Sequence, residues 1–132
     1  MRCFIDSNTL ISAGLFPKSV PAAALMKAAS PPNTAIVCDY SLDETHRTIN
    51  KKFPHRAGDL ELFLYRTLFT VELITAPTVG VDDVGVRDVK DRPIFCAAVK
   101  ANADVLITGD KDLLEYGSIK PRIITPAKFM SM

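Results

Sequence analysis

Four acids in this chain stand where chemistry could be done. Asp6 closes the apolar run Arg2 to Ile5, and Asp110 follows the apolar run Val105 to Thr108 after a single glycine. Glu44 lies about one turn into a helical stretch, and Asp91 begins another. There is no Cys/His cluster, so a donor set built from these residues is all oxygen and suits Mg²⁺ or Mn²⁺ rather than zinc. Carboxylates gathered at about 4 Å repel by on the order of 4 kcal/mol per pair at an effective dielectric near 20. Protonation or a divalent cation must relieve that repulsion. A carboxylate-held cation can orient water and neutralise a phosphate. The chemistry is phosphoryl transfer, with phosphodiester cleavage as its common form.

The elements around the acids come from hydrophobic periodicity. Continuous apolar runs at Arg2 to Ile5, Thr34 to Cys38, Val71 to Ile74, Val105 to Thr108 and Arg122 to Thr125 predict five strands buried on both faces. Helices are expected over Asn8 to Phe16, Pro21 to Ala29, Tyr40 to Phe53, Gly58 to Phe69, Arg92 to Asn102, Asp110 to Tyr116 and Pro126 to Met130. Pro54 ends the third of these, and Pro93 is tolerated in a first turn. Ala76 to Lys90 is a loop with Asp82, Asp83 and Asp88. Strands alternating with helices predict a three-layer α/β/α fold around a mostly parallel five-stranded sheet. Without repeats or linkers, residues 1–132 are expected to form one domain. Ligands of such sheets bind at the carboxyl ends of strands. Asp6 and Asp110 both fall there, and they meet if their strands are neighbours.

Composition narrows the class. The chain has 132 residues, enough for a substantial core, and 48% are hydrophobic against 23% charged. No apolar run approaches the roughly 18 residues of a membrane span. The start lacks a signal-peptide pattern, so a cytoplasmic protein is expected. Cys3, Cys38 and Cys96 are odd in number, far apart and set in apolar stretches, which predicts buried free thiols. Net charge is +1, so a nucleic-acid partner must be held by a local patch. One candidate is the run His46 to Arg56, with Arg47, Lys51, Lys52 and Arg56 and no acid. The alternative is a solvated helix face.

Each acid also has a purely structural reading. Asp6 could end its strand and cap the next helix, Asp110 or Asp112 could cap the short helix behind them, and Asp91 is a good N-cap. Ser41-Leu42-Asp43-Glu44 matches a capping box, in which Glu44 would bond the Ser41 backbone. If that helix begins at Asp39 instead, Glu44 is released from capping.

Three segments carry a family resemblance. "FIDSNTLISAGLF" resembles the opening of PIN-domain ribonucleases, "SLDETHRTI" their Glu-bearing helix, and "KDRPIFCAAVKANADVLITGDKDLL" their closing signature. The likeness spans nearly the whole chain and is greatest to the stand-alone toxins of toxin–antitoxin pairs. It implies a metal-dependent RNase with metal-binding, catalytic acids at Asp6, Glu44, Asp91 and Asp110. Asn8 and Thr108 match its supporting polar positions and Asp112 its extra acid. Asp88 competes with Asp91 for the third acidic position, and Ser7 replaces the usual threonine. The resemblance implies an RNA substrate and a small antitoxin protein as partners, and a homodimer is open.

Two rivals remain at this level. A haloacid-dehalogenase-type phosphatase would use Asp6 as nucleophile, but its second acid would fall at Asn8. A binding module with the same fold would cleave nothing, although all four acids argue for catalysis. His46 and His55, the two histidines, both lie in the basic run, away from the strand ends. Cleavage through the ribose 2′-hydroxyl is therefore disfavoured. Metal-assisted in-line hydrolysis, leaving a 5′-phosphate and a 3′-hydroxyl, is expected.

Overall fold

Cys3, Phe4 and Ile5 are adjacent and all fully buried. Successive strand residues point to opposite faces, so such a run requires cover on both sides. A computed structural model, describing residues 1–76 and 92–132, supplies that cover. Its strands are β1 (Arg2–Ile5), β2 (Thr34–Cys38), β3 (Glu72–Ile74), β4 (Val105–Ile107) and β5 (Arg122–Ile124). Its helices, among the described residues, are α1 (Ser7–Leu15), α2 (Val20–Ala28), α3 (Asp39–Lys52), α4 (Ala57–Thr67), α5 (Arg92–Lys100), α6 (Lys111–Tyr116) and α7 (Pro126–Met130).

The sheet order is β3-β2-β1-β4-β5, and every pair is parallel. Cys3, Ile5, Val37 and Ile107 pack with Leu10 of α1, Leu25 of α2 and Phe129 of α7. Phe4, Ile36 and Leu106 face the other way, onto Ile94 and Ala97 of α5 and Leu113 of α6. The three-layer α/β/α expectation therefore holds, with a sheet wholly parallel among the described strands. A third cluster, Ile49, Leu60 and Leu64, joins α3 to α4. There α1 comes close: a Cβ on Gly14 would lie 2.9 Å from the Phe63 ring. Among the described residues no single helix is long and apolar enough to cross a membrane.

Most predicted boundaries shift by one or two residues. The larger correction lies after Phe53, where Pro54–Arg56 forms a 3-10 turn before α4 starts at Ala57. Pro54 is in its first turn, where a missing N–H costs nothing. Cys3 and Cys38 are free and buried as expected, whereas Cys96 is only half-buried. The predicted 76–90 loop falls outside the described residues from 77 onward.

Strand order makes a crevice. The chain builds β1, β2 and β3 in one direction across the sheet, then crosses to β4 on the other side of β1. The carboxyl ends of β1 and β4 thus flank the reversal point, where open parallel sheets bind ligands. Helix α5 leads into β4, and its far end is near the amino edge, because Ala101 O accepts from Arg2 Nε at 2.9 Å. Nine residues of helix span about 13 Å, so α5 begins near the carboxyl edge.

Candidate active site

The register Ile5↔Ile107 sets the ends of β1 and β4 side by side, and Asp6 N–H donates to Ile107 O at 3.1 Å. Asp6 is 3% exposed. It is the N-cap of α1, accepting Ser7 N–H on Oδ1 at 2.8 Å. Its Oδ2 accepts the Thr108 hydroxyl at 2.7 Å. Thr108 Oγ1 in turn accepts Asp110 N–H at 3.0 Å and the Asn8 side-chain amide at 3.4 Å. Asn8 Oδ1 also accepts Gly109 N–H at 3.3 Å. Fully buried Thr108 is thus the joint between the two strand ends.

Asp110 caps α6, accepting Asp112 N–H at 2.8 Å and Leu113 N–H at 3.4 Å on Oδ1 alone. The capping reading of Asp6 and Asp110 is therefore correct as far as it goes. Among the described residues, Asp110 Oδ2 accepts no hydrogen bond. Asp112 sits in the first turn of α6.

The capping-box reading of Glu44 fails. Helix α3 begins at Asp39, and its cap is Cys38, whose Sγ accepts Ser41 N–H at 3.4 Å. Glu44, one turn further on, accepts the Ser7 hydroxyl on Oε1. Ser7 is 7% exposed and carried no prediction beyond standing for threonine. Its only sequence signal was its place beside Asp6, since its partner lies 37 residues away. Asp91 and Asp88 fall outside the described residues, and α5 begins directly after Asp91.

These acids act on one another. Burial first pushes the Asp6 carboxyl up from 3.8 to about 6. Hydrogen bonds from Thr108 and Ser7 oppose the rise, and the Glu44 and Asp110 carboxylates add to it. A buried carboxylate held near two others is a place where a cation relieves both desolvation and repulsion. Among the described residues, no three of His, Cys, Asp and Glu are arranged to hold one ion by themselves. Mg²⁺ is commonly held by one or two carboxylates with several waters, so these oxygen donors suit it in chemistry without forming a closed cage.

Neither Cys3 nor Cys38 offers a nucleophile. Burial raises Cys3 to about 11 and pushes Cys38 up as well. Asp6, buried with both oxygens engaged, is equally unsuited to attack phosphorus, and Asn8 serves as a clamp where a phosphatase would need its second acid.

The basic run divides. Arg47 and Lys51 follow Glu44 by three and seven residues, within about 60° around the helix, and both are exposed. Lys52 is exposed toward the helix end. Arg56 turns inward, donating to Leu15 O at 3.2 Å. His46 lies on the opposite flank, paired with Glu61 of α4 at 2.7 Å. An apolar cavity of about 420 Å³, lined by Ala13, Leu25, Met26 and Phe63 among others, holds no acid and is separate from this site.

Comparison with known proteins agrees with this fold. By fold, the chain is similar to VapBC2 from Rickettsia felis bound to a DNA fragment from their promoter, with TM-score 0.69 and 19% identity over 95% of this chain and 97% of that one. It is also similar to PAE2754 from Pyrobaculum aerophilum, with TM-score 0.65 and 15% identity over 100% and 91%. VapC20 of Mycobacterium tuberculosis, a sarcin-ricin loop cleaving toxin, matches with TM-score 0.59 and 18% identity over 90% and 99%. A comparison of the sequence with curated proteins finds no significant match. The family model for the PIN domain matches residues 2–112, and the chain belongs to that family.

Proposed function

We propose that this protein is a metal-dependent endoribonuclease and the toxin of a toxin–antitoxin pair. The observation that carries the reading is the pairing of Asp6 and Asp110 at the carboxyl ends of adjacent parallel strands, joined through Thr108. Membership of the PIN family supports a nuclease. The likeness to a toxin that cleaves the sarcin-ricin loop supports RNA as the substrate class.

In this reading Asp6, Glu44, Asp91 and Asp110 form the acid set for Mg²⁺ or Mn²⁺. When bound, the cation supplies charge neutralisation at the phosphate and acidifies water. Thr108 and Asn8 hold the strand ends in register, and Asp112 lies beside the set as an auxiliary acid. Glu44 Oε2 and Asp110 Oδ2 accept no hydrogen bond among the described residues, which leaves both oxygens for the cation. Arg47 and Lys51 carry the RNA backbone along the same side of α3, with Lys52 at its end. Arg56 contributes charge but is anchored to α1. A small antitoxin is the partner that keeps such an activity in check, and the cytoplasm is its place of action.

Product ends test the proposal. Purified protein incubated with RNA should cut it in Mg²⁺ or Mn²⁺, stop in excess EDTA and leave 5′-phosphate and 3′-hydroxyl ends. Replacing both histidines by Gln should leave cutting intact. A 2′,3′-cyclic phosphate, or undiminished cutting in EDTA, would overturn this chemistry. RNA binding without cleavage under any metal would make the protein a binding module instead.

A further inference from the structure

Ser7 touches two acids at once. Its backbone N–H donates to Asp6 Oδ1 at 2.8 Å, and its hydroxyl donates to Glu44 Oε1. It stands at the first position of α1, where its N–H has no partner within the helix and is satisfied by the Asp6 cap. Its side chain is therefore turned from β1 toward α3, across the gap between the two elements that carry these acids.

Glu44 needs such a partner more than Asp6 or Asp110 does. Those two are short side chains, each fixed by capping its own helix. Glu44 lies in the middle of α3 with a longer, more flexible side chain and no cap to hold it. A residue of this kind loses up to about 2 kcal/mol of rotamer freedom when fixed. The packing of α3 does not orient it, because Ser41, Thr45 and Ile49 form the buried stripe and Glu44 stands beside it. Among the described residues the Ser7 hydroxyl is the one hydrogen bond on its carboxylate.

We infer that Ser7 is a positioning residue: its hydroxyl holds Glu44 Oε1 and leaves Oε2 for the cation and substrate of the acid set proposed above. This rests on the metal-site reading above. A partner that orients a metal-binding carboxylate typically accounts for about 10–100-fold in metal affinity or activity. The backbone N–H survives mutation, so Ser7→Ala removes the hydroxyl alone and leaves the Asp6 cap in place.

The test is a double-mutant cycle read by Mn²⁺ titration of the full chain, with thermal melts in EDTA alongside. Ser7→Ala should weaken Mn²⁺ binding about tenfold, and Ser7→Thr, which keeps the hydroxyl, should restore most of it. In a Glu44→Ala background the further change Ser7→Ala should have no effect on Mn²⁺ affinity, because the residue through which it acts is gone. A structural hydrogen bond predicts another pattern: a lower melting temperature in EDTA and unchanged Mn²⁺ affinity, which would overturn the inference. An equal loss with and without Glu44 would overturn it as well. If the unaltered protein binds no Mn²⁺, the metal-site reading fails and takes this inference with it. If it binds Mn²⁺ and loses it in Glu44→Ala but not in Ser7→Ala, only the inference fails.

Discussion

The carboxyl of Asp6 sits where its own charge is opposed, and stability should show it. Its folded value, raised to about 6, lies above the unfolded 3.8. For an acid shifted upward, the folded state holds its proton more tightly than the unfolded state does. The associated stability is present in full below the unfolded value and is lost as pH rises through the folded one. Without metal, Asp6→Asn keeps an acceptor for Ser7 N–H and has no charge to bury. It should therefore gain on the unaltered protein by about 2 kcal/mol between about pH 4.5 and about pH 8. Urea unfolding in EDTA at the two pH values measures this, and a gap that stays constant would mean that Asp6 does not titrate in that window. The placement of Asp6 and Asp110 at strand ends was legible in sequence because an apolar run followed by Asp is a local pattern. Ser7 and the release of Glu44 from capping were not. The contact of Ser7 with Glu44 spans 37 residues, a serine two residues past a strand looks like any helix start, and the release of Glu44 turns on a cysteine cap that the sequence left as one of two helix starts.

At the scale of elements, α3 connects the acids to the charge that would hold RNA. Among its cations and those of the following turn, the two nearest the Glu44 side, Arg47 and Lys51, should matter most for phosphate contact. In a cleavage-dead Asp110→Asn background, Arg47→Ala with Lys51→Ala should weaken RNA binding. It should also reduce the slope of log affinity against log salt by about 1.4, roughly 0.7 for each single-strand phosphate that is no longer neutralised. Fluorescence anisotropy across a salt series reads that slope, and an unchanged slope would make this a solvated helix face. Arg56→Ala should act differently, lowering the melting temperature with little change in slope, because its guanidinium is held by Leu15 O. The sequence placed each strand and helix of the described residues within about two residues, the usual reach of periodicity. It missed the Pro54–Arg56 turn because a proline after Phe53 marks a break but does not set the backbone conformation beyond it. It could not establish that β1 and β4 are neighbours, since strand order belongs to long-range pairing and the pattern within a strand is silent on it.

The whole molecule exists as a site only when folded. Positions 6, 44 and 110 come from β1's end, α3 and β4's end, brought together by a sheet order that runs out of sequence. An unfolded chain holds these carboxylates far apart, so a cation that needs them together binds the native state alone. Such binding stabilises by about 2.7 kcal/mol when the free ion is at about 100 times its dissociation constant. For a chain of this size that raises the melting temperature by roughly 10 °C. The rise should depend on pH in the opposite sense to the metal-free stability. Near pH 8 Asp6 is ionised, and Mn²⁺ relieves both its burial and the repulsion from Glu44 and Asp110. Near pH 4.5 Asp6 holds its proton and must release it for the ion to bind, so the Mn²⁺-induced rise should shrink there. Asp110→Asn should diminish the rise at both pH values, while leaving the melting temperature in EDTA equal or higher, because a repelling charge has been removed. Differential scanning fluorimetry with Mn²⁺ and with EDTA at the two pH values reads all of this. A rise of the same size at both pH values, or one that survives Asp110→Asn, would mean that Mn²⁺ stabilises the fold from somewhere other than the ends of β1 and β4.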